Sequence, residues 1–168
     1  GWIQLYAENN QEAYDNMVQA YRISEHPDVR LPIMICQDGF ITSHAVENME
    51  LLEDEEVRNF VGEYEPENYL LNPGCPMAVG PYSITDYYME AKRNQAEGMK
   101  HVSRVVLETA KEFAALSGRK YGLFEEYCME DAELAVVMIG SAAGTTKDAI
   151  DWLRAKGEKV GLVKIRMY

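Results

Sequence analysis

A turn rich in polar residues follows a short apolar run, residues 31–36, and its residue types could take part in proton transfer. A histidine close to a carboxylate can act as a general acid or base, or can pair with a carboxylate substrate. The alternative is that this histidine packs the turn through hydrogen bonds of its ring, or contacts a neighbouring subunit. The candidate residues of the turn are Asp38, Gly39, Phe40, Ser43 and His44.

A nucleophile and base pair is not expected in this turn. Ser43 and His44 are adjacent in the chain, so we expect their side chains to point in different directions. The sequence therefore predicts an active edge without assigning a reaction to it.

A second group of small and hydroxyl residues could bind an anion at the start of a helix. It lacks the lysine of a phosphate-binding loop and the glycine spacing of a dinucleotide fingerprint. Tight turns between a strand and a helix also use small residues for geometry alone, so both interpretations stay open. The group consists of Gly140, Ser141, Gly144 and Thr145.

Both groups follow predicted strands. Residues 31–36 predict a strand buried on both faces, because they are continuously apolar and Pro32 stands at the start, where no ladder donor is needed. Residues 132–139 predict a second buried strand. Ligands of open α/β sheets bind at the carboxyl ends of the strands, which locates both groups where chemistry is expected.

The first part of the chain reads as strand, helix and strand. Residues 2–6 predict a strand, and Asn9 and Asn10 predict the N-cap of a helix that ends near residue 25. Helical spacing indicates one apolar face for this helix. The predicted apolar face consists of Ala13, Met17, Ala20 and Tyr21.

The middle of the chain predicts two helices separated by an irregular segment. An acidic quartet at 53–56 opens a short helix and is expected to be solvated, with a metal site as the distant alternative. Four prolines and three glycines at 62–81 predict a meander that wraps over another domain or subunit. A long helix is predicted over 86–117, with Tyr87 and Tyr88 on its inner side.

A domain boundary is predicted between residues 118 and 119, with a polar connector at 120–130. Beyond it, the pattern predicts a strand, a helix over 145–155 and a strand over 160–168. We expect α/β, three-layer parallel-sheet domains, one over 1–118 and one over 119–168, both incomplete because the chain starts and stops inside strand patterns.

Composition excludes several classes of partner. A formal charge of −12 and a pI near 4.7 argue against nucleic acid and anionic membrane surfaces. Three widely spaced cysteines predict no iron–sulfur cluster, no zinc site and no disulfide framework in this chain. No apolar run approaches the roughly 20 residues that span a bilayer, so a cytoplasmic protein is expected.

Several blocks of sequence resemble one known family in the same order along the whole chain. Residues 31–44 (LPIMICQDGFITSH) carry the longest similarity. The other blocks are 1–4, 11–15, 19–25, 70–73, 87–90, 118–121 and 159–166. Together they are similar to the alpha subunit of pyruvate:ferredoxin oxidoreductase and its 2-oxoacid:ferredoxin oxidoreductase relatives.

The resemblance implies oxidative decarboxylation of a 2-oxoacid to an acyl-coenzyme A, with electrons passed to ferredoxin. It implies that 1–118 is the second half of the domain facing the thiamine aminopyrimidine, and that 119–168 begins a transketolase C-terminal-like domain. Thiamine diphosphate and Mg²⁺ would be held mainly by another subunit or domain, and [4Fe-4S] clusters would lie elsewhere in the complex.

The resemblance also implies that the principal catalytic groups are absent. The family's substrate-binding threonine and arginine and its activating glutamate precede this region, so these 168 residues alone should be inactive. The turn at 38–44 would form a wall of the cofactor-facing interface. A non-catalytic interaction module, or a nucleotide-binding domain using residues 140–144, remain the alternatives.

Overall fold

The computed structural model describes all 168 residues, which form five helices and five strands in two small sheets. In the first sheet, β1 (Ile3–Tyr6) pairs in parallel with β2 (Ile33–Cys36). The crossover between them contains α1 (Asn10–Glu25), which is capped by Asn9 through a 2.9 Å hydrogen bond from the Glu12 N–H. The predicted strand–helix–strand unit is therefore confirmed.

The second sheet has the strand order β3-β5-β4. The strands are β3 (Phe124–Tyr127), β4 (Leu134–Ile139) and β5 (Val160–Ile165), and α5 (Ala142–Arg154) connects β4 with β5. Since β3 runs antiparallel to β5 and β4 runs parallel to it, this sheet is mixed. The α/β class is confirmed, and the pairs β1–β2 and β4–β5 are parallel as expected. The expectation of a connector without a strand at 120–130 is wrong, because β3 lies there and runs antiparallel to β5. Two glutamates stand at the centre of β3, so this strand lacks the apolar pattern from which a strand is predicted.

The two sheets are joined by the chain that follows β5. The Tyr6 N–H donates to the Arg166 carbonyl at 2.8 Å, and Leu5 forms an antiparallel bridge with Met167. This segment therefore extends the first sheet beyond β1 and fixes the position of the second sheet beside it.

Three further helices complete the fold: α2 (Ile41–His44), α3 (Asp54–Val61) and α4 (Tyr88–Ser117). Phe60 of α3 is buried, and the acidic first turn of this helix is exposed, as expected. The buried face of α4 extends from Val102 to Phe113. Tyr87 and Tyr88, which the sequence predicts on the inner side, are 72% and 55% exposed, and α4 starts at Tyr88, two residues later than predicted.

The two strands predicted to be buried are less covered than expected. β2 is half-buried and β4 is largely exposed, with Leu134 at 70%. β4 is the edge strand of its sheet, so only one of its backbone edges is paired. The continuous apolar sequence therefore predicted the positions of both strands correctly. The prediction that both strands are buried within this chain is wrong.

The predicted apolar face of α1 is confirmed only at Ala20, which is buried. Met17 and Tyr21 are each 46% exposed, and the buried face of α1 carries mainly polar side chains. It packs against charged side chains of the C-terminal strand segment, so burial follows charge pairing instead of hydropathy. The buried residues are Glu12, Asp15, Asn16, Val18, Gln19, Ala20 and Ile23.

Lys164 is the centre of this polar contact and is only 2% exposed. Its ammonium lies 2.6 Å from Glu8 Oε2 and 2.8 Å from Glu12 Oε1, and it also pairs with Glu125. Burial lowers the pKa of Lys164, but the nearby carboxylates, Glu12 foremost, raise it by more, so the pKa lies above its ordinary value. The ammonium is thus held charged between α1 and the second sheet.

A second buried cluster lies beside the first. The Asp15 carboxylate is fully buried and accepts hydrogen bonds from Arg119 at 2.6 and 3.0 Å and from the Tyr121 hydroxyl at 2.5 Å. Arg166 donates to Asn16 Oδ1 at 2.6 Å, and its guanidinium lies 4.1 Å from the Tyr121 ring centroid. These contacts attach the chain on either side of the second sheet to α1.

We predict that Lys164→Met destabilises the protein by about 3–5 kcal/mol at neutral pH, because three carboxylates lose their buried counter-ion. Urea unfolding would measure the change in free energy. Lys159→Met is the matched control, because Lys159 is 51% exposed and its ion pair with Glu133 is at the surface. A Lys164→Met cost no larger than that of the control would contradict the role given to this contact.

The same contact predicts a pH dependence. Burial raises the pKa of Glu125, but Lys147 and Lys164 lower it by more, so the folded-state value lies below 4.5. A carboxyl with a lowered folded-state pKa stabilises the protein above its unfolded-state pKa and loses that contribution as the pH falls. The wild-type protein should therefore lose stability below about pH 4.5. The difference in free energy of unfolding between the wild type and Lys164→Met should become smaller there.

Candidate functional site

The turn after β2 holds its shape through its own side chains. Asp38 Oδ1 accepts a 2.8 Å hydrogen bond from the Thr42 N–H, which fixes the start of α2. Phe40 has φ 71°, in the left-handed region that a bulky residue rarely adopts, and its side chain is 78% exposed. Strain of this kind persists only where surrounding contacts hold it, and it concentrates at functional sites.

Ser43, His44 and Phe40 form one hydrogen-bonded and stacked group. Ser43 Oγ accepts from the Phe40 N–H at 2.9 Å and lies 2.6 Å from His44 Nδ1. The Phe40 and His44 rings stack with centroids 4.9 Å apart. The expectation that Ser43 and His44 point apart is wrong, because α2 is a single turn whose N-terminal N–H draws the serine hydroxyl back toward the histidine.

The second group of candidate residues lies beside the first. The Ser141 hydroxyl, at the start of α5, donates to Asp38 Oδ2. This hydrogen bond is the main cause that holds the pKa of Asp38 below its usual 3.8, followed by hydrogen bonding from Thr42. The structure therefore brings together two groups that are about a hundred residues apart in the sequence.

A cleft of about 380 Å³ opens where the two residues meet. It lies at the carboxyl ends of β1, β2 and β4, which is the edge at which α/β sheets bind ligands. We name it the strand-end cleft. It is lined by Tyr6, Ala7, Cys36, Gln37, Asp38, Ile139, Gly140, Ser141 and Ala142.

The predicted anion-binding turn is shorter than expected. α5 begins at Ala142, so Gly144 and Thr145 lie inside the first turn of the helix and not in a loop. Gly140 has φ 71°, a conformation that suits glycine. A Cβ at Gly144 would lie 3.2 Å from Glu8 Oε1. A carboxylate beside the helix start and a Ser141 hydroxyl already bound to Asp38 both disfavour a phosphate here.

The carboxylates that lie closest together are also not free to bind a ligand, which in their case would be a metal ion. Glu8, Glu12 and Glu125 approach within 4.8 Å of one another, a spacing that could hold a cation. Their shared centre is filled by the Lys164 ammonium. These three carboxylates therefore do not form a free metal site.

Sequence reasoning missed the charged residues that bring the two candidate groups together. Lys164 and Arg166 alternate along an otherwise apolar strand pattern, so they share a face. Glu12, Asp15, Asn16 and Gln19 follow helical spacing and also share a face. Complementary charge on a strand face and a helix face was a readable signal.

Comparison with known families bears on both parts of the chain. The profile of the pyruvate flavodoxin/ferredoxin oxidoreductase, thiamine diphosphate-binding domain matches residues 1–111. The chain belongs to this family. The profile of pyruvate:ferredoxin oxidoreductase core domain II matches residues 132–168. The predicted boundary between 118 and 119 lies between the two matched stretches and stays a prediction.

Individual relatives are similar over the whole chain. Pyruvate synthase subunit PorA of Thermotoga maritima is 52% identical over 168 residues, and that of Methanothermobacter thermautotrophicus is 43% identical. The alpha subunit of NADH-dependent phenylglyoxylate dehydrogenase of Aromatoleum evansii is 37% identical over 176 aligned residues. All of this chain is covered each time, but it spans only 43%, 44% and 42% of the length of these relatives.

None of the helices of this chain is long and apolar enough to cross a membrane.

We predict that Ser141→Ala raises the pKa of Asp38 toward its ordinary value, because the carboxylate loses its main hydrogen-bond donor. Carbon-13 NMR titration of the aspartate carboxyl groups would measure this pKa. Ser103→Ala removes an exposed hydroxyl of α4 and should leave the Asp38 titration unchanged. An unaltered Asp38 pKa in Ser141→Ala would show that the two groups are not coupled.

Proposed function

We propose that the chain forms part of the alpha subunit of a 2-oxoacid:ferredoxin oxidoreductase. The observation that carries this proposal is the 52% identity to a pyruvate synthase subunit over the full 168 residues. The whole enzyme would decarboxylate pyruvate oxidatively to an acyl-coenzyme A and pass electrons to ferredoxin. Its partners would be the other subunits of the complex, with ferredoxin and coenzyme A reached through them, in the cytoplasm.

We infer that this chain helps to enclose the cofactor and does not hold it. Thiamine diphosphate, when bound, supplies the electron sink for decarboxylation. Its diphosphate and Mg²⁺ would be held mainly by another subunit or domain, since the close carboxylate set of Glu8, Glu12 and Glu125 is occupied by Lys164. The [4Fe-4S] clusters would likewise belong to other subunits or domains.

The Asp38–His44 turn would form a wall of the cofactor-facing interface. Its stacked Phe40 and His44 rings present an apolar surface with a polar edge, and His44 is held through Ser43. Asp38 and Ser141 would keep this wall at a fixed distance from α5. In this role the turn orients and shields, while the chemistry belongs to the cofactor.

A second substrate is supported by one relative. The phenylglyoxylate dehydrogenase of Aromatoleum evansii is named for an aromatic 2-oxoacid, and its alpha subunit is 37% identical to this chain. Pyruvate is favoured because the PorA subunits of Thermotoga maritima and two methanogens are 43–52% identical.

Reduction of viologen by the reconstituted complex would test the proposal. The natural polypeptide that carries this sequence would be combined with its partner subunits, thiamine diphosphate, Mg²⁺ and coenzyme A. Pyruvate and phenylglyoxylate would be compared as substrates, and we expect turnover with pyruvate. An assembled complex with bound thiamine diphosphate that turns over neither 2-oxoacid would favour a non-catalytic interaction module. Stabilisation of the chain by nucleotides would favour the nucleotide-binding alternative.

We predict that His44→Ala lowers turnover in this complex by about tenfold, equivalent to roughly 1.4 kcal/mol of barrier, and changes the melting temperature little. The side chain is exposed within this chain, so its loss should cost the fold little. His101→Ala, an exposed histidine of α4, is the control for both measurements. Equal losses of turnover and melting temperature in His44→Ala would support a packing role instead.

A further inference from the structure

Residues 68–85 contain no charged side chain, although 26% of the whole chain is charged. This segment, the neutral strap, lies within the irregular region between α3 and α4. Depletion of charged residues and the presence of tyrosine, here Tyr69 and Tyr82, are typical of the buried centre of a protein interface. The composition alone therefore distinguishes the strap from an ordinary surface loop.

The neutral strap is also exposed. Leu71 is 84% exposed and Tyr82 is 92% exposed. Its other exposed large apolar residues are Tyr69, Leu70, Met77, Val79 and Ile84, and Tyr87, Tyr88 and Met89 continue the surface onto α4. Together these side chains present on the order of 1,000 Å², which is the contribution of one partner to a stable interface and exceeds the usual patch of a monomer.

The strap has a defined conformation. The Asn72 N–H donates to the Tyr69 carbonyl at 3.2 Å, and the Cys75 N–H donates to the Asn72 carbonyl at 3.3 Å. Asn72 Oδ1 accepts from the Gly74 N–H at 3.0 Å. Prolines at positions 73, 76 and 81 restrict the backbone further. A segment ordered in this way loses little conformational entropy when it binds.

The charges at the rim of the strap indicate the kind of partner. Glu63, Glu65, Asp86 and Glu90 flank the strap and form no salt bridge in the structure. Of the nearby cations, Arg93 pairs with Glu97, whereas Lys92 donates only to the neutral Gln95 amide and keeps its charge. Four unpaired carboxylates against one unpaired ammonium leave the rim acidic, so a complementary partner has an apolar centre and a basic rim.

We propose that the neutral strap is a docking surface for a non-identical subunit of the oxidoreductase complex. A second copy of this chain suits the surface poorly, because it would oppose one acidic rim to another on chains that each carry a net charge of −12. The identity of the partner rests on the proposed function, whereas the presence of a docking surface rests on exposure, composition and charge.

Substitution of the two most exposed apolar side chains would test the surface. Leu71→Lys and Tyr82→Lys, made in the natural polypeptide that carries this sequence, should each weaken binding to purified partner subunits about 30-fold or more. Leu107→Lys, at a 47% exposed position of α4 outside the strap, is the matched control. Unchanged melting temperatures would show that the variants fold.

The rim gives a second measurement. The double substitution of Glu63→Lys and Glu65→Lys should slow association and weaken its dependence on salt, since rim charges act mainly on the association rate. Hydrogen exchange should show residues 68–85 protected in the complex and unprotected in the subunit alone. Protection in the isolated subunit would overturn the proposal, because another part of the same polypeptide would then cover the strap.

Other outcomes would overturn it as well. Normal assembly of Leu71→Lys and Tyr82→Lys would show that the strap is not the contact. A dimer of identical subunits that Leu71→Lys dissociates would identify a second copy as the occupant. Failure of the wild-type polypeptide to bind any partner subunit would equally refute the proposal. Assembly is measured without turnover, so an assembled complex that oxidises no 2-oxoacid refutes the proposed function and leaves the docking surface intact.

Discussion

The ion cluster around Lys164 is the contact on which the arrangement of the two sheets depends. A buried ammonium is costly unless carboxylates neutralise it, and three of them surround Lys164 from α1, its N-terminal approach and β3. Because removal of either side would leave buried charge, helix and strand can pack in only one register. The neighbouring contact of Asp15 with Arg119 and Tyr121 adds a second fixed point on the same helix face.

The candidate site follows from this arrangement. The strand-end cleft exists because the carboxyl ends of β2 and β4, which belong to different sheets, lie side by side. The hydrogen bond between Asp38 and Ser141 joins them directly. The second sheet therefore helps to fix the position of the turn that contains the strained backbone at Phe40 and the stacked His44. A change at the sheet contact should therefore reach the turn without altering any residue of it.

Charge is distributed unevenly over the surface. The acidic residues that give the chain its net charge of −12 include the buried cluster and the first turn of α3, whereas the neutral strap has none. Repulsion keeps an acidic surface soluble and free of non-specific partners. A charge-free apolar segment on such a surface therefore favours association at the strap, in keeping with the docking role proposed for it.

The sequence by itself determined the α/β class, the strand–helix–strand order and most element positions, because hydrophobic periodicity and capping residues act locally. It also predicted a turn at Asp38–His44, whose role at an active edge stays a prediction. Tertiary structure alone decided which face of α1 is buried, since Glu12 and Asp15 are buried only because Lys164 and Arg119 neutralise them. It decided as well that Ser141 meets Asp38, and that β4 stays exposed at a sheet edge. The sequence shows charged residues that share a face on α1 and on the C-terminal strand pattern, but it does not show which distant charges pair, so only the folded chain could reveal the partners.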